Sequence, residues 1–166
     1  MKVKLILLIA VTLLMTHAIS AQTFTRETPI WQDDVPEPVL QTFKSAYPKA
    51  NPRSYTKVEV NGVPLFYRIE IAEKALHRNV TYNLDGSVAK LEERIATDEL
   101  PAAAQQVIKE KHPNGSAERA EKVTRGGQIE YQAAVKSGDK SFSLVFDADG
   151  KLISSQEVKV TIVLHR

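Results

Sequence analysis

Hydrophobic positions along this chain recur with two different periods, and the switch between them lays out the elements. Val35, Val39, Phe43 and Tyr47 return every four residues with Leu40 beside them, the apolar stripe of a helix over Pro36–Ala46. Pro36 suits the first helical turn, where its missing N–H is not needed. Pro48 ends the helix, because a residue that precedes proline is pushed out of the α region. Gln41 and Lys44 are left facing water. From Tyr55 the period becomes two, the mark of half-buried antiparallel strands. Val58 and Val60 share a face over 55–60. Leu65, Tyr67, Ile69 and Ile71 oppose Phe66, Arg68 and Glu70. After a turn near Glu73-Lys74, Arg78, Val80, Tyr82 and Leu84 oppose Asn79, Thr81 and Asn83, and a fourth strand covers 87–95. Asn61-Gly62 and Asp85-Gly86 mark the hairpins and are read as type I′ turns.

The whole pattern then returns. Val35-Pro36 through Tyr47-Pro48 is matched by Leu100-Pro101 through His112-Pro113, offset by 65 positions. The segment Leu84-Asp85-Gly86 is matched by Ala148-Asp149-Gly150, offset by 64. A second helix is expected over 101–111, with Leu100, Ala104, Val107, Ile108 and Lys111 at helical spacing. Strands follow at 119–125, 128–136, 140–147 and 151–164. Ile129, Tyr131, Ala133 and Val135 face the core, as do Phe142, Leu144 and Phe146. The last strand ends apolar, with Val158, Val160, Ile162 and Leu164 alternating with Lys159 and Thr161, and could close an edge or pair with the amino-terminal segment. The expected fold class is α+β: two tandem repeats, each a helix followed by a four-stranded antiparallel meander, with the helices on one face of the sheet. The repeats span 35–96 and 97–166. Residues 22–34 form a lead-in segment, whose Trp31 is expected to pack against the first helix.

Residues 1–21 read as a secretory signal peptide. Lys2 and Lys4 precede the apolar run from Leu5, and Ala18-Ile19-Ser20-Ala21 offers small residues for cleavage. The run is about half the ~20 residues that a membrane span needs, so no anchor is expected once it is cleaved. Cleavage also changes the charge. The 22 Lys+Arg and 20 Asp+Glu of the full chain become balanced without Lys2 and Lys4, so the pI of 8.8 implies no nucleic-acid partner. There is no cysteine, hence no disulfide and no lipid attachment site after the signal.

The V-P-x-x-V-x-x-x-F-x-x-x-Y-P helix, followed by strands and an Asp-Gly hairpin and given twice after a signal peptide, resembles the PepSY-like family. That family is similar in fold to the β-lactamase inhibitor protein, itself a tandem repeat of helix and four-stranded sheet. The resemblance covers about Val35 to Val158. It implies a periplasmic or secreted non-enzyme, a protein-binding or inhibitory module; members of the wider PepSY group restrain peptidases. No contact motif of the inhibitor can be placed on this sequence, and the absence of cysteine departs from its disulfide-stapled pattern.

Candidate chemistry is sparse. Asp147-Ala148-Asp149-Gly150 has the start of a calcium loop but Gln156 where a ligating Glu belongs, and strands rather than helices flank it, so a turn accounts for it. His77, His112 and His165 are scattered without zinc-ligand spacing, and His112 takes the place of Tyr47 as a packing residue at a helix end. No Gly-x-Ser-x-Gly elbow exists, Glu92 and Glu93 point to opposite faces of a strand, and Gly126-Gly127 joins strands rather than cradling a phosphate. The acceptor sequences at Asn79 and Asn114 carry no meaning in the bacterial chain that the resemblance implies. No enzyme, metal or cofactor is therefore expected. What remains is the sheet face opposite the helices. It carries Phe66, Arg68, Glu70, Asn79 and Thr81 from the first repeat and Glu130, Gln132, Ser143 and Val145 from the second. An aromatic beside an arginine is a composition that anchors interfaces. The expected function is that of a monomer docking an unidentified protein of the envelope or the exterior on this face. The alternative is a carrier of a small ligand or lipid, held between helices and sheet by Tyr67, Tyr82, Tyr131 and Phe146.

Overall fold

A computed structural model describes residues 24–73 and 76–158; the expected signal peptide, the turn expected near Glu73-Lys74 and the last strand expected beyond Val158 fall on residues outside them. The described residues form an antiparallel sheet of nine strands with two helices. In chain order these are β1 (Thr25–Ile30), α1 (Glu37–Ala46), β2 (Pro52–Val60), β3 (Val63–Glu73), β4 (Leu76–Asn83), β5 (Val88–Ile95), α2 (Ala102–Lys111), β6 (Gly115–Arg125), β7 (Gln128–Ser137), β8 (Lys140–Asp147) and β9 (Leu152–Val158). Each strand pairs with its neighbours in sequence, so the sheet order is β1 through β9. No helix among the described residues is long and apolar enough to cross a membrane.

Segment 22–34 is not a mere lead-in. Thr25–Ile30 pairs with β2 from Thr25 opposite Val60 to Ile30 opposite Tyr55. Pro29, which argues against a central strand, is tolerated because β1 is an edge. Trp31 does not pack on the first helix either: it is 83% exposed. Ile30 and Val35, on either side of a short 3-10 turn, take the inward positions beside α1 instead.

Both helices lie on the same face of the sheet, and register shows it. Leu91 and Ile95 point to one side of β5, with no bulge between their pairings. Leu91 packs on the core beneath α1, where Val39, Leu40 and Phe43 meet Tyr67, Ile69, Ile71, Val80 and Tyr82. Ile95 packs on the core beneath α2, where Ala104 and Ile108 meet Ala120, Ala133, Val135, Leu144 and Phe146. The helix ends are closed by matched pairs. The Arg78 guanidinium lies 5.9 Å from the Tyr47 ring centroid, and Phe142 lies 4.3 Å from that of His112.

Asn61 and Gly62 have φ of 52° and 81°, as a type I′ turn requires. The Asp-Gly hairpins differ from the type I′ expectation. Asn61 is the only non-glycine with positive φ among the described residues, so Asp85 and Asp149 stay on the ordinary side. Gly86 N–H donates to Asn83 O at 3.0 Å and Gly150 N–H to Asp147 O at 3.0 Å. These are type I turns closed by a left-handed glycine, a geometry that needs glycine at one position only.

Tyr82 and Phe146 hold equivalent places, opposite Tyr67 and Tyr131, and both are fully buried. The Tyr82 hydroxyl has no hydrogen-bond partner. Burial, with Tyr47 nearby, pushes this phenol well above its ordinary range. A buried hydroxyl without a partner costs about 1–3 kcal/mol. Tyr82→Phe is therefore expected to raise stability by about 1 kcal/mol in urea denaturation. A loss instead would mean that the hydroxyl is satisfied.

Candidate functional site

The face that the helices leave open is built by strand register. One row runs Ser54, Glu70, Asn79, Glu92, Val123, Glu130, Asp147 across β2 to β8. A second joins Thr56, Arg68, Thr81 and Lys90. Val58 and Phe66 stand opposite each other, and Val145 lies between Gln132 and Ser154, with Ser143 one pleat further along. All nine residues named from the sequence therefore fall on this face. Glu92 and Val123 connect the two groups, because β5 pairs directly with β6.

Three residues of this face are buried although no helix covers them: Val123 at 1% exposure, Thr81 at 8% and Val58 at 9%. Glu27, Arg68, Lys90 and Arg125 line the depression that holds Val58 and Thr81, and the aliphatic stems of such side chains cover apolar surface while the heads reach water. Ion pairs hold those heads in place. The Arg68 guanidinium donates to both carboxylate oxygens of Glu27, with Nη1 to Oε1 at 3.0 Å. This hydrogen bond holds the Glu27 carboxyl below its ordinary range and raises Arg68. Lys90 Nζ lies 3.0 Å from Glu92, and Glu70 accepts from Ser54 Oγ at 2.8 Å and lies 3.2 Å from His77 Nε2.

The result is a charged, latticed surface with two shallow depressions. One, of about 230 Å³, is lined by Glu27, Val58, Phe66, Arg68, Thr81, Lys90 and Arg125 with Ala89. The other, of about 240 Å³, involves Arg119, Glu121, Gln132, Ala134 and Ser143 with Ala133. Sequence reasoning missed Glu27, because its strand was not recognised. It also missed Lys90 and Val123, although the alternation of 87–95 and 119–125 already put them on this side.

The chemistry set aside at the sequence level has a structural explanation. Asp147 Oδ1 accepts the N–H groups of Asp149 at 3.1 Å and Lys151 at 2.8 Å, so it serves the turn. Among the described residues no three His, Asp or Glu side chains converge as a metal site would require. The carrier alternative loses its lining. Tyr82 and Phe146 are fully buried in separate cores, Tyr67 belongs to the first, and Tyr131 packs on the second, so the four share no groove.

An open antiparallel sheet with helices on one face and a charged surface on the other defines the class: a β-lactamase-inhibitor-like fold. The sequence matches the family model described as "Putative beta-lactamase-inhibitor-like, PepSY-like" twice, over residues 21–90 and 82–154. The chain belongs to this PepSY-like family. It is similar in structure to a DUF2874 family protein of Bacteroides uniformis, with a TM-score of 0.63 and 16% identity over 74% of this chain and 88% of that one. It is also similar to a "putative periplasmic" protein of Bacteroides eggerthii, with a TM-score of 0.62 and 16% identity over 74% and 88% of the two chains. A BLIP-like protein of Bacteroides fragilis gives a TM-score of 0.56 and 18% identity over 77% and 89%. At these identities the likeness is one of fold. No curated protein matches the sequence.

Proposed function

We propose that the protein is a non-enzymatic binding module of the periplasm that docks a protein partner on the open face of its sheet. It is read as two copies of one unit, 35–96 and 97–166, whose strands supply one continuous surface. The observation that carries this reading is the junction of Glu92 with Val123, which brings Phe66, Arg68, Glu70, Asn79 and Thr81 onto the same face as Glu130, Gln132, Ser143 and Val145. The ion-paired lattice around Arg68 supports it as well, since side chains already held in place lose less entropy on binding. The periplasmic placement rests on the signal-like residues 1–21 and on the description given to the Bacteroides eggerthii neighbour. Restraint of an enzyme is the form of docking that the family resemblance favours.

The test is capture of a partner from periplasmic extract by the mature chain. Phe66→Ala with Arg68→Ala is expected to weaken capture at least about tenfold, the scale of one hot-spot residue or more. Gln41→Ala with Lys44→Ala, on the exposed side of α1, is expected to leave it unchanged. Capture that tolerates the first pair and fails with the second would move docking to the helix side.

A further inference from the structure

The depression beside Phe66 gathers charge of one sign. β5 and β6 stay in step from Ile95 opposite Ala120 to Leu91 opposite Thr124, and one further rung sets Lys90 across from Arg125. Both line the depression together with Arg68. Arg68 is answered by Glu27 and Lys90 by Glu92. Arg125 is exposed, and among the described residues no carboxylate forms an ion pair with it. Like charges directly opposite across two strands destabilise a sheet. Folding alone therefore does not account for a lysine and an arginine on one rung.

The fold does not demand the other lining residues either. Tyr67 opposite Tyr82 and Tyr131 opposite Phe146 are equivalent places in the two halves of the sheet. Counting from them, Phe66, Arg68, Thr81 and Lys90 correspond to Glu130, Gln132, Val145 and Ser154. The same backbone pattern thus carries an aromatic and two cations in one half, and none of these in the other. Two bulges flank the hollow. Leu65 is the extra residue of β3 beside Phe66, and Ala89 that of β5 beside Lys90. A bulge bends its strand and re-aims the side chains next to it. At about 230 Å³ the hollow is smaller than the ~300–1,000 Å³ of small-molecule sites, and suits one or two side chains of a larger partner.

We propose that this hollow receives an acidic segment of the docked protein, with a carboxylate between Lys90 and Arg125 and a neighbouring apolar side chain against Phe66. This depends on docking at the open face, to which it adds the partner's chemistry. Charge complementarity selects the carboxylate. An incoming acid relieves the repulsion between Lys90 and Arg125 and supplies the anion that Arg125 lacks. The planar fork of a guanidinium can donate two parallel hydrogen bonds to such a group. Phe66, opposite Val58, is the apolar wall of the hollow. Arg68 is already held by Glu27, so it shapes that wall rather than meeting the acid.

Titration of the mature chain with the peptide acetyl-Glu-Leu-Glu-amide, followed by nuclear magnetic resonance of the backbone amides, tests this. Saturable shifts are expected at Phe66, Lys90 and Arg125, and acetyl-Gln-Leu-Gln-amide is expected to bind at least about tenfold more weakly. Lys90→Ser with Arg125→Ser should lower affinity for the acidic peptide by about the same factor. Serine already stands at the place equivalent to Lys90, and the amide spectrum itself reports whether the variant is folded. Lys44→Ser with Lys109→Ser, which removes equal charge from the exposed sides of the helices, should leave binding unchanged. No shift at the three amides, equal binding of the two peptides, acetate binding as tightly as the acidic peptide, or loss of binding with the helix-side pair would each overturn the proposal. So would partner capture that needs Phe66 and Arg68 but tolerates Lys90→Ser with Arg125→Ser, a result that leaves docking at the open face intact.

Discussion

Replacing Phe146 by alanine lowers the stability of the protein by about 3–5 kcal/mol, the range for a fully buried phenylalanine. Phe146 has no exposed surface and packs among Ala104, Ile108, Val135 and Leu144, with Tyr131 and Leu152 at the margin. Helix α2 offers little to collapse into the void, because Ala104 is its contact where α1 has Val39. A loss of this size is a large part of the ~5–15 kcal/mol that holds an ordinary domain together. Phe66→Ala is the internal control. Its side chain lies on the opposite face and is only partly buried, so the same chemical change should cost about 1 kcal/mol. Urea denaturation of the two variants decides the matter, and equal losses would mean that the faces are assigned wrongly. The control also supports the docking experiment, which needs a folded Phe66 variant.

Gly86→Ala is the second large effect, expected at about 2–4 kcal/mol from backbone strain and crowding combined. Gly86 has a φ of +85°, and a Cβ there would stand 2.5 Å from the carbonyl oxygen of Pro38, in the first turn of α1. Backbone on both sides of the contact leaves nothing flexible to give way. Gly150 repeats the arrangement at α2, where a Cβ would stand 2.8 Å from Ala104 N. Each hairpin turn is thus pressed against the start of the helix in its half of the chain. Gly62→Ala separates the two contributions. Its φ is +81°, but a Cβ there meets nothing within 4 Å, so only the strain of about 1–2 kcal/mol should appear. Similar midpoints for the Gly62 and Gly86 variants in denaturant would remove the crowding argument.

The close approach at Gly86 was not legible in the sequence, although the glycine was. Asp85-Gly86 and Asp149-Gly150 announce turns through local chemistry, which one strand of text contains. Which helix turn lies against them depends on how α1 and α2 settle on the sheet. The same division explains the turn type. Asp-Gly is compatible with both type I′ and type I plus a left-handed glycine, and the hydrogen bonds to Asn83 and Asp147 select the second. β1 was missed because Thr25–Ile30 lacks alternation and contains Pro29; only pairing with β2 makes it a strand. Trp31 was misplaced for a related reason. Apolar character alone favours burial, but the extended β1 and the turn after it deliver Ile30 and Val35 to the core and leave Trp31 outside.

What the sequence determined by itself is local. Its helical stripes at Val35–Tyr47 and Leu100–Ile108, and its period-two runs in β3, β4, β7 and β8, decide which side chain of each of these elements turns away from water. Burial drives that choice residue by residue, and a strand shifted by one place would expose Ile69, Ile71 or Leu144. What only the tertiary structure decided is where the elements meet. The pairing of β5 with β6 makes one sheet of two groups of strands and sets Glu92 beside Val123. The ion pair of Arg68 with Glu27 joins residues that no local pattern relates. Such contacts depend on backbone hydrogen bonding between distant segments, and residue periodicity carries no record of which edges will pair.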